Sequence, residues 1–275
     1  MADSAGFCLG VERAIKMAFA AVRKKSVPLY SLGPLIHNPQ VVEQLDRSGV
    51  RSVENLDEIG EGTVILPSHG VTREEMKRIK DRGLNVVDAT CPFVKRAQKC
   101  AGLLSRQGYT VVIAGDKGHP EIQAILSYVE EKAVVAESTE DLKKLAGVKK
   151  LGIVAQTTQA HKKLQEIVSG ALSLVEEVRV FNTICDATRI RQQEALSLVR
   201  QVDCMIVIGG YNSANTTRLA QLCRTIQPRT YHIETECELD QSWFRGVRRV
   251  GITAGASTPH WLIDRVKAQI AAIVE

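Results

Sequence analysis

The sequence predicts an α/β fold made of three similar domains with mostly parallel sheets. Apolar segments of strand length alternate with amphipathic helical segments along the whole chain, an order typical of parallel sheets. In addition, Cys8, Cys91 and Cys185 each stand at the start of a predicted helix and recur at intervals of roughly ninety residues, the size of a small domain. We therefore predict three domains, at residues 1–90, 91–184 and 185–275.

Composition limits the classes of function. The chain has 275 residues, 44% of them hydrophobic, which is enough for a sizeable core. It has no apolar run long enough for a transmembrane helix, and its N-terminus is too short and polar for a secretory signal, so we expect a soluble cytoplasmic protein. The net charge is +5 and only 4% of residues are aromatic, with no basic patch interleaved with aromatic residues, so we expect no binding of nucleic acid.

The predicted elements follow the same order in each domain. The helix after each cysteine is indicated by apolar residues at helical spacing, such as Val11, Ala14 and Ala18. The strands that follow these helices are predicted at residues 27–35, 110–114 and 204–208. A later strand in each domain is predicted at residues 63–66, 151–155 and 249–252.

The start of the chain breaks this pattern. Strands at residues 84–89 and 178–181 lead directly into Cys91 and Cys185, but no apolar run precedes Cys8. We therefore expect that one strand is missing through a truncated start, and that Cys8 is less firmly anchored than the other two cysteines.

Polar residues follow the predicted strands and form the candidate site. Ligand sites in parallel sheets lie at the carboxyl ends of the strands. The residues predicted at these ends are His37, His69, His119, Glu121, Thr157, Ser213, Asn215 and Ser257. The offsets of His37, His119 and Ser213 from the preceding cysteine are nearly equal, which indicates that the three domains are related.

The three repeated cysteines are candidate metal ligands. A cysteine at a helix N-terminus is favoured as the thiolate, because the helix dipole and the free N–H groups stabilise the anion. Three thiolates suit either an iron–sulfur cubane with one open iron or a zinc ion with an open fourth position. The other cysteines are expected to be small core residues: Cys100, Cys204, Cys223 and Cys237.

Local sequence leaves two interpretations for the other candidates. Glu121 could donate protons at a metal site or stabilise the first turn of a helix. Ser213, Asn215 and Ser257 could bind phosphate or act as helix caps. The histidines at strand ends could also cap helices. The remaining histidines are expected to be ordinary surface or core residues: His161, His232 and His260.

The motifs resemble those of the 4-hydroxy-3-methylbut-2-enyl diphosphate reductase family, the last enzymes of the non-mevalonate isoprenoid pathway. The matching segments are AGFCLGV at 5–11, HNP at 37–39, SHGV at 68–71, DATCP at 88–92, GHPE at 118–121, QTT at 156–158, Cys185, NSAN at 212–215 and TAGAS at 253–257. They span essentially the whole chain in the order of the family. One difference is Ala214, where some members have a second serine.

The resemblance implies a trefoil of three α/β domains around one central [4Fe–4S] cluster, with Cys8, Cys91 and Cys185 as its ligands. It implies reductive removal of the substrate's hydroxyl group at the open iron, which yields isopentenyl and dimethylallyl diphosphate. Because the sequence has no flavin or nicotinamide motif, the implied electron donor is a reduced ferredoxin or flavodoxin.

The resemblance also implies roles for the residues at the strand ends. Glu121 would deliver protons, with help from Thr157. The implied diphosphate-binding residues are His37, His69, His119, Ser213, Asn215 and Ser257. Two other functions remain open on the residues alone. One is a zinc hydrolase or lyase that uses the same cysteines, and the other is a non-catalytic iron–sulfur protein that binds or senses a phosphorylated ligand.

Overall fold

Three parallel sheets form the framework of the protein in a computed structural model that describes residues 1–24, 27–145 and 147–274. The strands are β1 (Leu29–Leu32), β2 (Val50–Val53), β3 (Thr63–Leu66), β4 (Asn85–Asp88), β5 (Thr110–Ala114), β6 (Ala133–Ala136), β7 (Lys150–Ala155), β8 (Glu177–Val180), β9 (Cys204–Ile208), β10 (Thr230–Ile233) and β11 (Val250–Ala254). The helices are α1 (Leu9–Lys24), α2 (Pro39–Arg47), α3 (Arg73–Asp81), α4 (Pro92–Arg106), α5 (Pro120–Leu126), α6 (His161–Leu172), α7 (Asp186–Leu198), α8 (Ala214–Arg224) and α9 (His260–Val274).

The sheets repeat one strand order. The first sheet is ordered β2-β1-β3-β4, the second β6-β5-β7-β8, and the third β10-β9-β11. All of their pairings are parallel. Each sheet lies within one of the three predicted sequence ranges. The predicted α/β class with parallel sheets is therefore confirmed.

Strand bounds follow the apolar runs of the sequence. The bounds of β3, β5 and β9 coincide with the prediction. The strand β1 is shorter than predicted, and β11 extends to Ala254, so Thr253 lies in the strand rather than in the turn after it. The strands β2, β6 and β10 were not predicted. Each is a four-residue strand at the edge of its sheet, too short for an apolar pattern to stand out.

Helices cover both faces of the second and third sheets. In the second sheet, α6 packs on the face that carries Val112, while α4 and α5 pack on the face that carries Val111. In the third sheet, α9 packs on the face that carries Ile206, while α7 and α8 pack on the face that carries Val207. Burial on both faces explains why these strands are continuous apolar runs, as is usual in parallel sheets.

The chain separates into two compact units. The small unit contains Met1–Glu12, His37–Val41 and Asp186–Glu275, and it includes the third sheet. The large unit contains Arg13–Ile36 and Val42–Cys185, and it includes the first and second sheets. No helix in the described ranges combines the length and the apolar character needed to cross a membrane.

Cysteines outside the repeat mostly lie in the core, as predicted. Cys204 and Cys223 are fully buried, and burial raises their pKa to about 11 and about 12. Cys100 packs against the core of the second sheet, and burial raises its pKa as well. The prediction was wrong for Cys237, which is exposed in a short 3-10 helix, Glu236–Glu238.

Candidate functional site

Each repeated cysteine stands directly before a helix, as predicted. The helices α1, α4 and α7 begin at Leu9, Pro92 and Asp186. The Sγ atom of Cys8 accepts a hydrogen bond from the Val11 amide at 3.5 Å. The three thiols are partly exposed and none of them forms a disulfide.

The backbone amide of each cysteine is fixed by the turn after the third strand of a sheet, always within one unit. The bonds run from Cys91 to the Ser68 carbonyl at 2.9 Å, from Cys185 to the Thr157 carbonyl at 3.0 Å, and from Cys8 to the Ala256 carbonyl at 3.0 Å. Each acceptor is the second residue after its strand. The threefold repeat thus extends to individual hydrogen bonds. The third-sheet equivalent of Ser68 and Thr157 is Ala256, one residue before the candidate residue Ser257.

In the large unit, the carboxylate of Glu121 is held by Thr157. Its Oε1 accepts a hydrogen bond from the Thr157 amide at 2.6 Å, and its Oε2 accepts one from Thr157 Oγ1 at 2.7 Å. Glu121 is only 3% exposed, and a carboxylate buried to this degree requires such partners. Because the Thr157 carbonyl accepts the Cys185 amide, one residue connects the candidate proton donor to a candidate metal ligand.

Two candidate histidines of the large unit have one ring nitrogen fixed by the backbone. His119 is the N-cap of α5, and its Nδ1 accepts the Glu121 amide at 3.1 Å, so Nε2 carries the proton of the neutral ring. The Nδ1 of His69 lies 2.9 Å from the Gly70 carbonyl oxygen, which only accepts, so here Nδ1 is the N–H donor. Both contacts set the orientation of the ring.

In the small unit, the structure brings His37, Ser257 and the loop before Ser213 together. Ser257 Oγ donates to the His37 carbonyl at 3.0 Å. A Cβ atom at Gly210 would come within 2.7 Å of that same carbonyl oxygen, so the close approach of this loop requires glycine. Ser213 is the N-cap of α8, where its Oγ accepts the Thr216 amide at 3.4 Å. Burial lowers the pKa of His37, which favours the neutral ring.

Two buried asparagine amides of the small unit have an unsatisfied donor. Asn215 is 7% exposed and Asn38 is fully buried, and neither Nδ2 atom has a hydrogen-bond partner among the described residues. An unmade hydrogen bond of this kind costs about 1–3 kcal/mol, which an anionic ligand oxygen would recover. The Oδ1 atom of Asn38 accepts the Val41 amide at 3.0 Å. Asn38 rather than His37 therefore occupies, before α2, the capping position that His119 and Ser213 have before α5 and α8.

Side chains that no sequence motif indicates hold these loops in place. His232 was predicted to be an ordinary surface or core residue, but its Nε2 donates to the Gly209 carbonyl at 2.7 Å, at the start of the Ser213 loop. The ring of Tyr211 lies against His232, with the centroids 4.8 Å apart. Burial is the main reason that the pKa of His232 is lowered. No local signal predicts this contact, because it joins neighbouring strands of the third sheet.

The three cysteines fit an iron–sulfur cluster by their chemistry. They are thiol donors at helix N-termini, which is the donor type that such clusters require. Within the described ranges, no three histidine, cysteine, aspartate or glutamate side chains are grouped so that they could hold one metal ion. A single metal ion needs all its ligands grouped around one point. A cubane does not, because its thiolates bind separate iron atoms.

A family model described as LytB protein matches residues 1–271. The chain belongs to the LytB family. A LytB relative from Geobacter sulfurreducens, named 4-hydroxy-3-methylbut-2-enyl diphosphate reductase, is 57% identical over 270 residues, which are 98% of this chain and 95% of that protein. The protein of the same name from Syntrophotalea carbinolica is 53% identical over 272 residues, 98% of this chain and 97% of its own. The family prediction is thus confirmed.

Solved LytB structures have the same fold. One, described as (E)-4-hydroxy-3-methyl-but-2-enyl diphosphate reductase, the terminal enzyme of the non-mevalonate pathway, is 46% identical with a TM-score of 0.73 over 98% of both chains. The reductase from Plasmodium falciparum has a TM-score of 0.91 at 24% identity, covering 99% of this chain and 86% of its own. At that identity, the second similarity concerns the fold alone.

Proposed function

We propose that this protein catalyses the reductive dehydroxylation of 4-hydroxy-3-methylbut-2-enyl diphosphate to isopentenyl diphosphate and dimethylallyl diphosphate. The reaction consumes two electrons and two protons and releases the hydroxyl group as water. The names of the LytB relatives support this assignment. The observation that carries it in this chain is the connection of Glu121 through Thr157 to Cys185, since it joins a proton donor to a thiol ligand.

We propose Cys8, Cys91 and Cys185 as the ligands of one [4Fe–4S] cluster with one iron left open. When bound, such a cluster supplies electrons and a Lewis-acidic iron for the departure of the hydroxyl group. The proposal is supported by the equivalent positions of the three cysteines, each before a helix and each bonded through its amide to the equivalent turn. The electrons come from a reduced ferredoxin or flavodoxin.

In this proposal, Glu121 delivers the protons. A positioned general acid typically contributes a factor of about 10²–10⁴ to the rate. Thr157 contacts both carboxylate oxygens, so the carboxyl group is held in one orientation before the substrate binds. The Thr157 hydroxyl lies next to the carboxylate and can relay a proton, because it is both donor and acceptor.

The diphosphate group is assigned to six polar residues near the carboxyl ends of strands. They are His37, His69, His119, Ser213, Asn215 and Ser257. The unsatisfied Nδ2 donor of Asn215 supports this role, because a phosphate oxygen would accept its hydrogen bond. The Nε2 N–H group of neutral His119 is a donor of the same kind. Hydroxyl, amide and imidazole donors together suit an anion that accepts many hydrogen bonds.

The deciding experiment is an anaerobic measurement of iron, sulfide and the visible spectrum, before and after addition of the allylic diphosphate. We expect about four irons per chain, as a cubane requires, and a spectral shift with the diphosphate. Bound zinc, or a full cluster that does not respond to the diphosphate, would contradict the proposal. Cys91→Ser should lower the iron content, while Cys237→Ser, which removes an exposed cysteine outside the repeat, should leave it unchanged.

A further inference from the structure

The segment that leads to Cys8 is attached to helix α7 within the small unit. The Ser4 amide and hydroxyl donate to Glu194 Oε2 at 2.8 and 2.6 Å. Arg191 Nη2 donates to the Gly6 carbonyl at 2.6 Å. Two consecutive turns of one helix therefore hold alternate residues of the segment.

The same segment is also bonded to the third sheet. The Ala2 amide donates to the Ile252 carbonyl at 2.9 Å, and the Cys8 amide donates to the Ala256 carbonyl at 3.0 Å. With the two attachments to α7, the segment is held at four points. The segment before Cys8 is therefore anchored both by α7 and by the third sheet.

The side chain of Arg191 is buried, which is unusual for an arginine. It is only 4% exposed, and a guanidinium buried to this extent is costly unless its N–H groups are bonded. Its Nη1 donates to the Ala187 carbonyl at 3.2 Å, so the side chain is fixed to its own helix while Nη2 holds Gly6. Hydrogen bonds from a charged donor are roughly twice as strong as neutral ones.

Gly6 is itself held in place. It has a φ of +114°, and a Cβ atom at this position would lie 2.7 Å from the His260 ring. A side chain is therefore not readily accommodated here. The carbonyl that Arg191 contacts belongs to this glycine, two positions before Cys8.

We propose that Arg191 is a positioning residue that sets the location of Cys8 as a cluster ligand, with Glu194 as a second attachment. This inference rests on the proposed function, because it takes Cys8 to be a ligand. Cys91 and Cys185 follow β4 and β8, which are paired within sheets. The segment before Cys8 is held by side chains of α7, which begins one residue after Cys185, and by backbone hydrogen bonds to the third sheet.

The test compares the full-length wild-type chain with Arg191→Met, both isolated anaerobically, with and without their iron. Alkylation by iodoacetamide is followed separately at Cys8, Cys91 and Cys185 by mass spectrometry. In the iron-free variant we expect Cys8 to react roughly tenfold faster, in line with the loss of a charge-assisted bond, and the other two cysteines to change less than about twofold. The iron-loaded variant should lose iron to a chelator faster than the wild type.

Two further variants separate positioning from general loss of structure. Arg191→Lys keeps a charged donor and should restore part of the wild-type behaviour. Arg189→Met is the matched control, because Arg189 is an exposed arginine on the same helix. Thermal midpoints of all chains show whether the fold is retained.

The outcomes are distinct. Equal Cys8 reactivity in the wild type and in Arg191→Met would overturn the inference, even if the wild type carries its cluster and is active. Faster Cys8 alkylation with unchanged iron retention would also overturn it, because the contact would then not serve the ligand. A wild-type chain that binds no iron would contradict the proposed function itself.

Discussion

Both carboxylate oxygens of Glu121 accept hydrogen bonds from one residue, Thr157. Thr157 uses its amide for one bond and its hydroxyl for the other, and its carbonyl accepts the Cys185 amide. The amide, the hydroxyl and the carbonyl of Thr157 therefore all form hydrogen bonds at the candidate site. Substitutions here can remove the side-chain contact while the two backbone contacts remain.

Replacement of Glu121 by glutamine is expected to abolish turnover and preserve the fold. The amide can still accept the Thr157 amide and donate to the Thr157 hydroxyl, so the geometry is retained while the acid is lost. Removal of a general acid should lower kcat by about 10²–10⁴-fold, with iron content unchanged. The measurement is product formation with excess chemical reductant. Activity close to that of the wild type would refute the role of Glu121, and the exposed Glu140→Gln serves as the control.

Thr157→Val tests the hydroxyl alone. Loss of a hydrogen bond to a charged group costs about 1.5–3 kcal/mol, so we expect kcat to fall by about 10- to 100-fold. The backbone bonds to Glu121 and Cys185 should keep the iron content constant. Thr157→Ser retains the hydroxyl and should remain close to the wild type. If the serine and valine variants lose activity equally, loss of the hydroxyl is not the cause of the lower kcat, and its proposed role is contradicted.

Asn215→Leu should separate ligand affinity from stability. The buried Nδ2 donor lacks a partner among the described residues, so its removal is expected to leave the free energy of unfolding unchanged or to raise it by up to about 1 kcal/mol. The KM for the diphosphate should rise by about tenfold, since a hydrogen bond to a charged group is lost. Urea unfolding and steady-state kinetics provide the two values. A destabilised variant with an unchanged KM would contradict the assignment, and Asn85→Ala on the exposed part of β4 is the control.

His37 should make the protein less stable as the pH falls. Burial lowers the pKa of His37 in the folded chain, so below about pH 6.5 the unfolded chain binds a proton that the folded chain does not. The free energy of unfolding therefore decreases as pH falls from the unfolded pKa toward the folded pKa. In His37→Gln this decrease should be smaller, while the exposed His161→Gln should match the wild type. Urea unfolding between pH 5 and 7.5 measures the slopes, and identical slopes in all three chains would rule out the effect.

Much of the fold could be predicted from sequence because buried parallel strands are continuous apolar runs. The strands β3, β5 and β9 are such runs, and their predicted bounds agree with the structure. The strand β10, with the sequence TYHI, lies at an edge and is only partly buried, so it gives no comparable signal. Motif positions also located the three helix-initiating cysteines correctly.

The details of the candidate site depend on contacts that spacing does not resolve. Loop lengths differ between the three repeats, so spacing alone does not show that Ala256 rather than Ser257 is the equivalent of Thr157. The contacts of Arg191 with Gly6 and of Ser257 with His37 join residues 185 and 220 positions apart. A single sequence does not predict such pairs, because no local pattern around one residue indicates a contact with a partner so far away in the chain.

The attachment of the Cys8 segment to residues near the other end of the chain has a consequence for biosynthesis. Ser4 and Glu194 are 190 residues apart, and the acceptor of the Cys8 amide, Ala256, is made later still. A ribosome that delivers the chain from its N-terminus exposes Cys8 long before these partners exist. Insertion of the proposed cluster should therefore follow translation rather than accompany it, and a nascent chain stalled before Ala256 is expected to acquire no stable cluster. The environment of the Cys8 thiol is thus completed only after most of the described chain has been synthesised.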